Sequence, residues 1–374
     1  MPHAAQDGFS LGNFIRLYSD SQRVAHGMGR GGVTQVNQIE RAIRILLTSL
    51  VTLMLLPQAG AQRLTGAGAT FPYPLYTKWF SEYAKSHPGV SVNYQPIGSG
   101  GGIRQVSVGL VDFAASEEPM TDYQLASSKV KVMQIPAVLG AVVPVFHVAG
   151  ISRLRFSPEV LAGIYLGKIR KWNDPQLAAD NPGVELPDQN IVVVSRSDAS
   201  GTSFIFTDYL SKVSKEWAKG PGKSISPAWP RGVGARGNQG VAAMVHEISG
   251  SIGYVELVYA MQEKLSVGTI RNSAGRWVEA TAESMSQAAG SLATMPADFR
   301  VSITDAPGER AYPISSFTWL IVPVRAGDGA KGRALRELVE WMLTTGQSEA
   351  VGLSYAPLPA PVAQKALAAV SSLH

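Results

Sequence analysis

After residue 61 the chain alternates short apolar runs of strand character with stretches whose apolar residues recur at helical spacing. That alternation is what most restricts its fold. Residues 74–85 carry Leu75, Trp79 and Tyr83 four apart behind prolines, an amphipathic helix. Residues 90–97 alternate as a strand. Val138-Leu139 and Pro144-Val145-Phe146 lie in an apolar, strand-like run, 191–194 read as a buried strand with a helix over 204–210 after it, and 320–322 as another strand. Leu335, Leu338, Val339 and Met342 mark a late helix ended by Gly346. The Pro- and Gly-rich stretch 218–240 reads as loop. The pattern predicts an α/β architecture with largely parallel sheets, and 374 residues suffice for about two domains of roughly 150 residues each.

Three junctions of this alternating pattern are built from glycine and hydroxyl residues. They are Gly66-Ala67-Gly68-Ala69-Thr70-Phe71-Pro72, Gly98-Ser99-Gly100-Gly101-Gly102 and Asp198-Ala199-Ser200-Gly201-Thr202-Ser203. Each falls where a strand gives way to a helix. Such a place offers unpaired backbone N–H groups and the positive end of the helix dipole. Ser and Thr add O–H donors, and Gly lets a ligand approach the backbone. Taken singly, each is an ordinary helix cap; converging, they make a cage for a small oxyanion. Arg196 adds a guanidinium able to grip phosphate with two bonds, and Asp198 is placed to hold it, unless the two form only a surface ion pair.

The first 61 residues read as a targeting segment and stand apart from the fold. Arg41 and Arg44 precede twelve apolar-rich residues, 45–56, and Pro57-Gln58-Ala59-Gly60-Ala61 follows. This is a positive region, a short apolar core and a small-residue cleavage site, with cleavage predicted after Ala61. The apolar run is well short of the roughly 20 residues a membrane span needs. Residues 1–40 are polar and Gly-rich, unusual ahead of such a signal, and suggest a true start nearer Met28. The chain has no cysteine, which rules out disulfides, thiolate metal sites, thiol catalysis and a lipidated cysteine anchor. Five basic and three acidic residues lie in 1–61, so 28 basic and 25 acidic remain, too even a balance for nucleic-acid binding.

Longer motifs carry a family resemblance. Leu64-Thr65-Gly66-Ala67-Gly68-Ala69-Thr70-Phe71-Pro72 with Tyr76 and Lys78-Trp79 resembles the mature N-terminus of the phosphate-binding component of the bacterial high-affinity phosphate importer. The segments 93–102, Val111-Asp112-Phe113-Ala114-Ala115-Ser116, 164–174, Ser197-Asp198-Ala199-Ser200-Gly201-Thr202-Ser203-Phe204, Gly250-Ser251-Ile252-Gly253-Tyr254-Val255-Glu256 and Ala311-Tyr312-Pro313-Ile314-Ser315 continue it in order, out to about Pro359. The resemblance implies a periplasmic-binding-protein type II fold, two α/β lobes joined by a two-strand hinge. Lobe I would combine residues 62–137 with 312–374, and lobe II would span 138–311.

It also implies a phosphate site between the lobes. Thr70 would donate through its hydroxyl, Phe71 through its N–H, and Ser99 through both. Arg196 would give the charged contact, braced by Asp198, and Ser200, Gly201 and Thr202 the remaining donors. The family places an aspartate after the Ala-Ser of the third motif, where it accepts a hydrogen bond from a phosphate O–H; here that position is Glu117, one methylene longer. The other reading of Glu117 and Glu118 is an exposed acidic turn before Pro119.

The resemblance further implies a monomeric, non-enzymatic protein of the periplasm, free of lipid, without metal or cofactor. It would deliver phosphate to the membrane permease subunits and ATPase of an ABC importer. Two alternatives stand beside it. One is a binding protein of the same fold for another protonated oxyanion such as arsenate. The other is a secreted hydrolase of phosphate esters with Ser200 as nucleophile, which needs a base; His87, His147, His246 and His374 all lie outside the glycine motifs.

Overall fold

The computed structural model describes Arg41, residues 62–325 and residues 329–372. The targeting segment expected over residues 1–61 falls outside the described residues, apart from Arg41. Every element named below lies in the compact unit Ala61–His374. No helix among the described residues is long and apolar enough to cross a membrane.

Among the described residues twelve strands follow one another: β1 Gln62–Gly68, β2 Val90–Pro96, β3 Phe113–Ser116, β4 Val132–His147, β5 Arg155–Phe156, β6 Val192–Arg196, β7 Val233–Ala235, β8 Ser251–Glu256, β9 Ser266–Val267, β10 Thr269–Arg271, β11 Trp277–Val278 and β12 Ser315–Pro323. The main sheet runs β2-β1-β3-β12-β4-β8-β6-β7, with β9 also on β4; β11, β10 and β5 form a small second sheet. The strands and helices expected from periodicity are present within a few residues. The prediction of largely parallel sheets is corrected to mixed ones. β1 is parallel to β2 and β3, and β6 to β7 and β8, while β12 and β4 run antiparallel to their neighbours.

The sixteen-residue β4 explains the architecture. Its first part, Val132 to Ala141, pairs with β12, and its last part, Val142 to His147, with β8. Almost every side chain along it is buried, so it reads as a continuous apolar run rather than an alternating one. Because β8 runs against β4 and β1 runs with it, the carboxyl ends of both flanks point at the middle of β4, near Ala141 and Val142. Helices begin there: α1 Tyr73–Ser86 after β1, α2 Ser99–Ser107 after β2, α3 Gly201–Val213 after β6, α4 Gly237–Glu247 after β7 and α5 Leu257–Gln262 after β8. Open α/β sheets bind ligands outside the carboxyl ends of their strands.

Three local expectations change. The stretch 218–240 is not all loop, since β7 and the start of α4 lie in it. Gly100 to Gly102 are the first turn of α2 and not a turn ahead of it. The late helix, α6 Gly329–Leu343, stops before Gly346, which sits in a following 3-10 turn, where its carbonyl accepts the indole N–H of the fully buried Trp79 at 2.6 Å.

Candidate functional site

Arg196 ends β6 and is pinned at both ends. Its backbone N–H donates to the Tyr254 hydroxyl at 3.1 Å. Its guanidinium, with a side chain 1% exposed, donates Nε to Asp198 Oδ1 at 2.7 Å and Nη2 to Oδ2 at 2.6 Å, and Nη1 to Thr202 Oγ1 at 3.2 Å. Two of its five N–H bonds meet no protein acceptor among the described residues. Burial alone would raise the Asp198 carboxyl, but the Arg196 guanidinium and the Gly237 N–H, donating at 3.1 Å, hold it below the usual carboxylate range. The pair is therefore a buried, paired brace, and not the surface ion pair allowed by sequence.

Glu117 leaves the end of β3 and is also buried, at 1% exposure, which removes the exposed-turn reading. Thr318 donates to its Oε1 at 2.8 Å and Ser99 to its Oε2 at 3.2 Å. The placement of Thr318 follows from register. Trp319 of β12 sits opposite Ser116, so Thr318 falls beside the next residue, Glu117. On its other side the β12–β4 register slips between Thr318 and Trp319, skipping Ala137 next to Pro136, which has no N–H to give. Without a cationic side chain bonded to it, Glu117 is raised by desolvation to about 7, with Thr318, Ser99 and the field of Arg196 each pulling the other way.

The two poles meet at glycines. A β-carbon on Gly201, the first residue of α3, would collide with Glu117 Oε2 and Ser99 Oγ. Gly98 takes φ +91, which side chains avoid, and brings α2 up to the other loop. There Gly100 N–H donates to the Ala199 carbonyl at 3.1 Å. Ser200 caps α3, its Oγ accepting the Ser203 N–H at 3.1 Å, while its own N–H goes to the Ile225 carbonyl. Thr70, 2% exposed, gives its carbonyl to the Tyr259 hydroxyl at 2.5 Å. The Phe71 ring packs onto Gly140 of β4 and its carbonyl accepts the Tyr355 hydroxyl at 2.6 Å.

Every residue anticipated from sequence thus lies in one buried cluster spanning both flanks of β4. The sequence reading missed Asn238, Thr318 and Tyr259. Asn238, fully buried at the start of α4, donates Nδ2 to both Thr70 Oγ1 and Thr202 Oγ1. A signal for it existed: Ala235-Arg236-Gly237-Asn238, ahead of Val241, Ala242 and Val245, repeats the strand–glycine–helix pattern of the other three junctions. No group of three His, Asp or Glu among the described residues could hold a metal ion.

The site is electrostatically two-sided. Helix N-termini, hydroxyls and a guanidinium form a donor face for an anion, and one buried carboxyl forms an acceptor.

The same fold occurs in known proteins. The sequence profile of the PBP superfamily domain matches residues 56–345. A phosphate-binding protein PstS of Xylella fastidiosa is 44% identical over 305 residues, covering 81% of this chain and 83% of its own. Another of that name from Pasteurella multocida is 44% identical over 308 residues, covering 82% and 89%. A solved structure of a high affinity periplasmic phosphate-binding protein bound with phosphate superposes with a TM-score of 0.68 at 22% identity, covering 82% of this chain and 93% of that one.

Proposed function

Because the chain belongs to the PstS phosphate-binding proteins of the PBP superfamily, we propose that it captures inorganic phosphate and delivers it to an ABC importer. The observation that carries the reading is an Arg196 guanidinium with N–H bonds to spare, bonded to Thr202, and a Glu117 carboxyl without a cation bonded to it, packed against the neighbouring Gly201 and within the field of Arg196. The N-termini of α1, α2 and α3 add backbone donors, with Phe71, Ser99, Gly201 and Thr202 supplying N–H groups and Thr70, Ser200 and Thr202 hydroxyls, while the Ser99 hydroxyl would turn from Glu117 to the anion. Phosphate keeps a proton near neutral pH, and its O–H donates to the Glu117 carboxylate. Sulfate has no proton to offer there, so it would set acceptor against acceptor in a dry site. Such a mismatch costs several kcal/mol, on the order of 10⁴-fold.

In this reading residues 62–137 with 312–374 and residues 138–311 are two lobes that close on the anion, since only the closed state makes both sets of contacts. The protein is a monomer, exported to the periplasm by a signal cleaved after Ala61, whose lobe rims dock on the permease subunits coupled to the ATPase. It is a binding protein and not a hydrolase: the Ser200 hydroxyl serves as the cap of α3, and no histidine, lysine or carboxylate among the described residues is hydrogen-bonded to it. Titration calorimetry of the exported protein against phosphate, arsenate and sulfate tests this. Saturable phosphate binding with arsenate close behind and sulfate absent is expected; equal sulfate binding, or turnover of a chromogenic phosphate ester, overturns it.

A further inference from the structure

Asn238 touches two of the proposed phosphate ligands, Thr70 and Thr202, from opposite flanks of β4, and its own bonds fix what those ligands can do. We propose that Asn238 is a positioning residue that commits the Thr70 and Thr202 hydroxyls to donating their protons toward the anion. The inference rests on the phosphate reading above.

The amide orientation is set first. Asn238 Oδ1 accepts the Glu256 N–H at 3.0 Å, so the opposite atom is the NH₂ group. Nδ2 has two hydrogens; one goes to Thr70 Oγ1 at 2.9 Å and the other to Thr202 Oγ1 at 3.0 Å. Each oxygen then receives a second donor. Asn238 N–H reaches Thr70 Oγ1 at 3.3 Å, and Arg196 Nη1 reaches Thr202 Oγ1 at 3.2 Å. A hydroxyl has two acceptor positions and one proton. With both acceptor positions filled, donation is all that remains to either threonine, and neither proton has a protein acceptor among the described residues. A free hydroxyl rotates to suit its partner; these two cannot. They require a bare ligand oxygen, which turns the phosphate so that its O–H faces Glu117. Specificity is thereby set from both sides of the anion.

The test is phosphate calorimetry on Asn238→Ala, Thr202→Val, the double variant and Asn238→Asp, with wild type alongside. Asn238→Ala is expected to weaken binding about ten- to a hundredfold, Thr202→Val about tenfold or more, and the double variant by no more than about threefold beyond the worse single, because the part of the Asn238 effect that passes through the Thr202 hydroxyl is already lost in Thr202→Val. Asn238→Asp keeps the acceptor for the Glu256 N–H and the shape of the site, yet offers the threonine protons an acceptor; it is expected to fold and to lose about a hundredfold or more in affinity. The proposal is overturned by Asn238→Ala binding within about twofold of wild type, or by single effects that multiply in the double variant. Should Asn238→Ala not fold, wild-type affinity in Asn238→Asp overturns it alone. Indifferent Asn238 variants beside a wild type that binds phosphate remove only this inference, while a wild type that binds none removes the phosphate reading with it.

Discussion

The site buries two charged side chains and treats them in opposite ways. Arg196 lies against a carboxylate that grips it with two bonds, so the cost of removing its charge from water is met inside the protein. Glu117 is as deeply buried and, among the described residues, has only two side-chain hydroxyls, Ser99 and Thr318, within hydrogen-bond reach. The Asp198 carboxyl ends below its ordinary value and the Glu117 carboxyl well above, at about 7. The donor side is complete before any ligand arrives. The acceptor side is left in deficit, and a ligand that brings its own proton makes up that deficit. On the proposed reading the asymmetry serves discrimination against sulfate, because a fully compensated carboxylate would be indifferent to what it faced.

The comparison breaks most violently if its charged donor is removed. Arg196→Ala leaves the half-buried Asp198 without its partner and removes the proposed charged anion contact. Phosphate affinity should fall by about 2–5 kcal/mol, as for one member of a desolvated charge pair. Near-wild-type affinity by calorimetry would deny Arg196 its role.

A smaller effect probes the deficit at Glu117 directly. The folded state favours the neutral carboxyl, since its value rises from 4.5 in the unfolded chain to about 7. The fold therefore binds the proton more tightly, and stability falls as pH rises from about 4.5 to 7, then levels. Glu117→Gln removes that cost. Ligand-free, it should match wild type in chemical denaturation at pH 4 and exceed it at pH 8 by at most about 3 kcal/mol. A gap that does not grow with pH would mean that the carboxyl is not strained by burial.

The smallest effect sharpens the comparison. Thr318→Val deletes one of the two hydroxyls that hold Glu117 and keeps the shape of the strand. It should push the carboxyl further above about 7 in a carbon-detected NMR titration and weaken phosphate binding by about 1 kcal/mol. An unmoved titration would place the compensation of Glu117 elsewhere.

How much of this was legible in the sequence follows distance along the chain. The donor face was readable because Arg196, Asp198, Ser200, Gly201 and Thr202 fall within one strand–turn–helix junction, where spacing alone dictates what meets. The helices and strands with clean periodicity were legible for the same reason. Thr318 and Glu117 are 201 residues apart, and only the β3–β12–β4 register brings them together. Asn238 and Thr70 are 168 apart, and the glycine-rich stretch before Asn238 reads as loop unless β7 is recognised. The antiparallel course of β4 and β12 was hidden by their continuous apolar composition, which a parallel strand shares. The depth of Glu117 was equally out of reach, since two consecutive glutamates before a proline have the composition of a solvated turn.

The central claim is that the buried Glu117 carboxyl checks the anion for a proton, and the phosphate-to-sulfate affinity ratio measures it most directly. Calorimetry at pH 8 and pH 5 on wild type and Glu117→Gln gives four such ratios. Wild type should discriminate strongly at pH 8 and less at pH 5, where a protonated Glu117 can donate to sulfate, while the amide of the variant should lower the ratio at both and leave only the pH dependence of the phosphate anion's own ionisation. A ratio unchanged by the substitution at pH 8 would contradict the account.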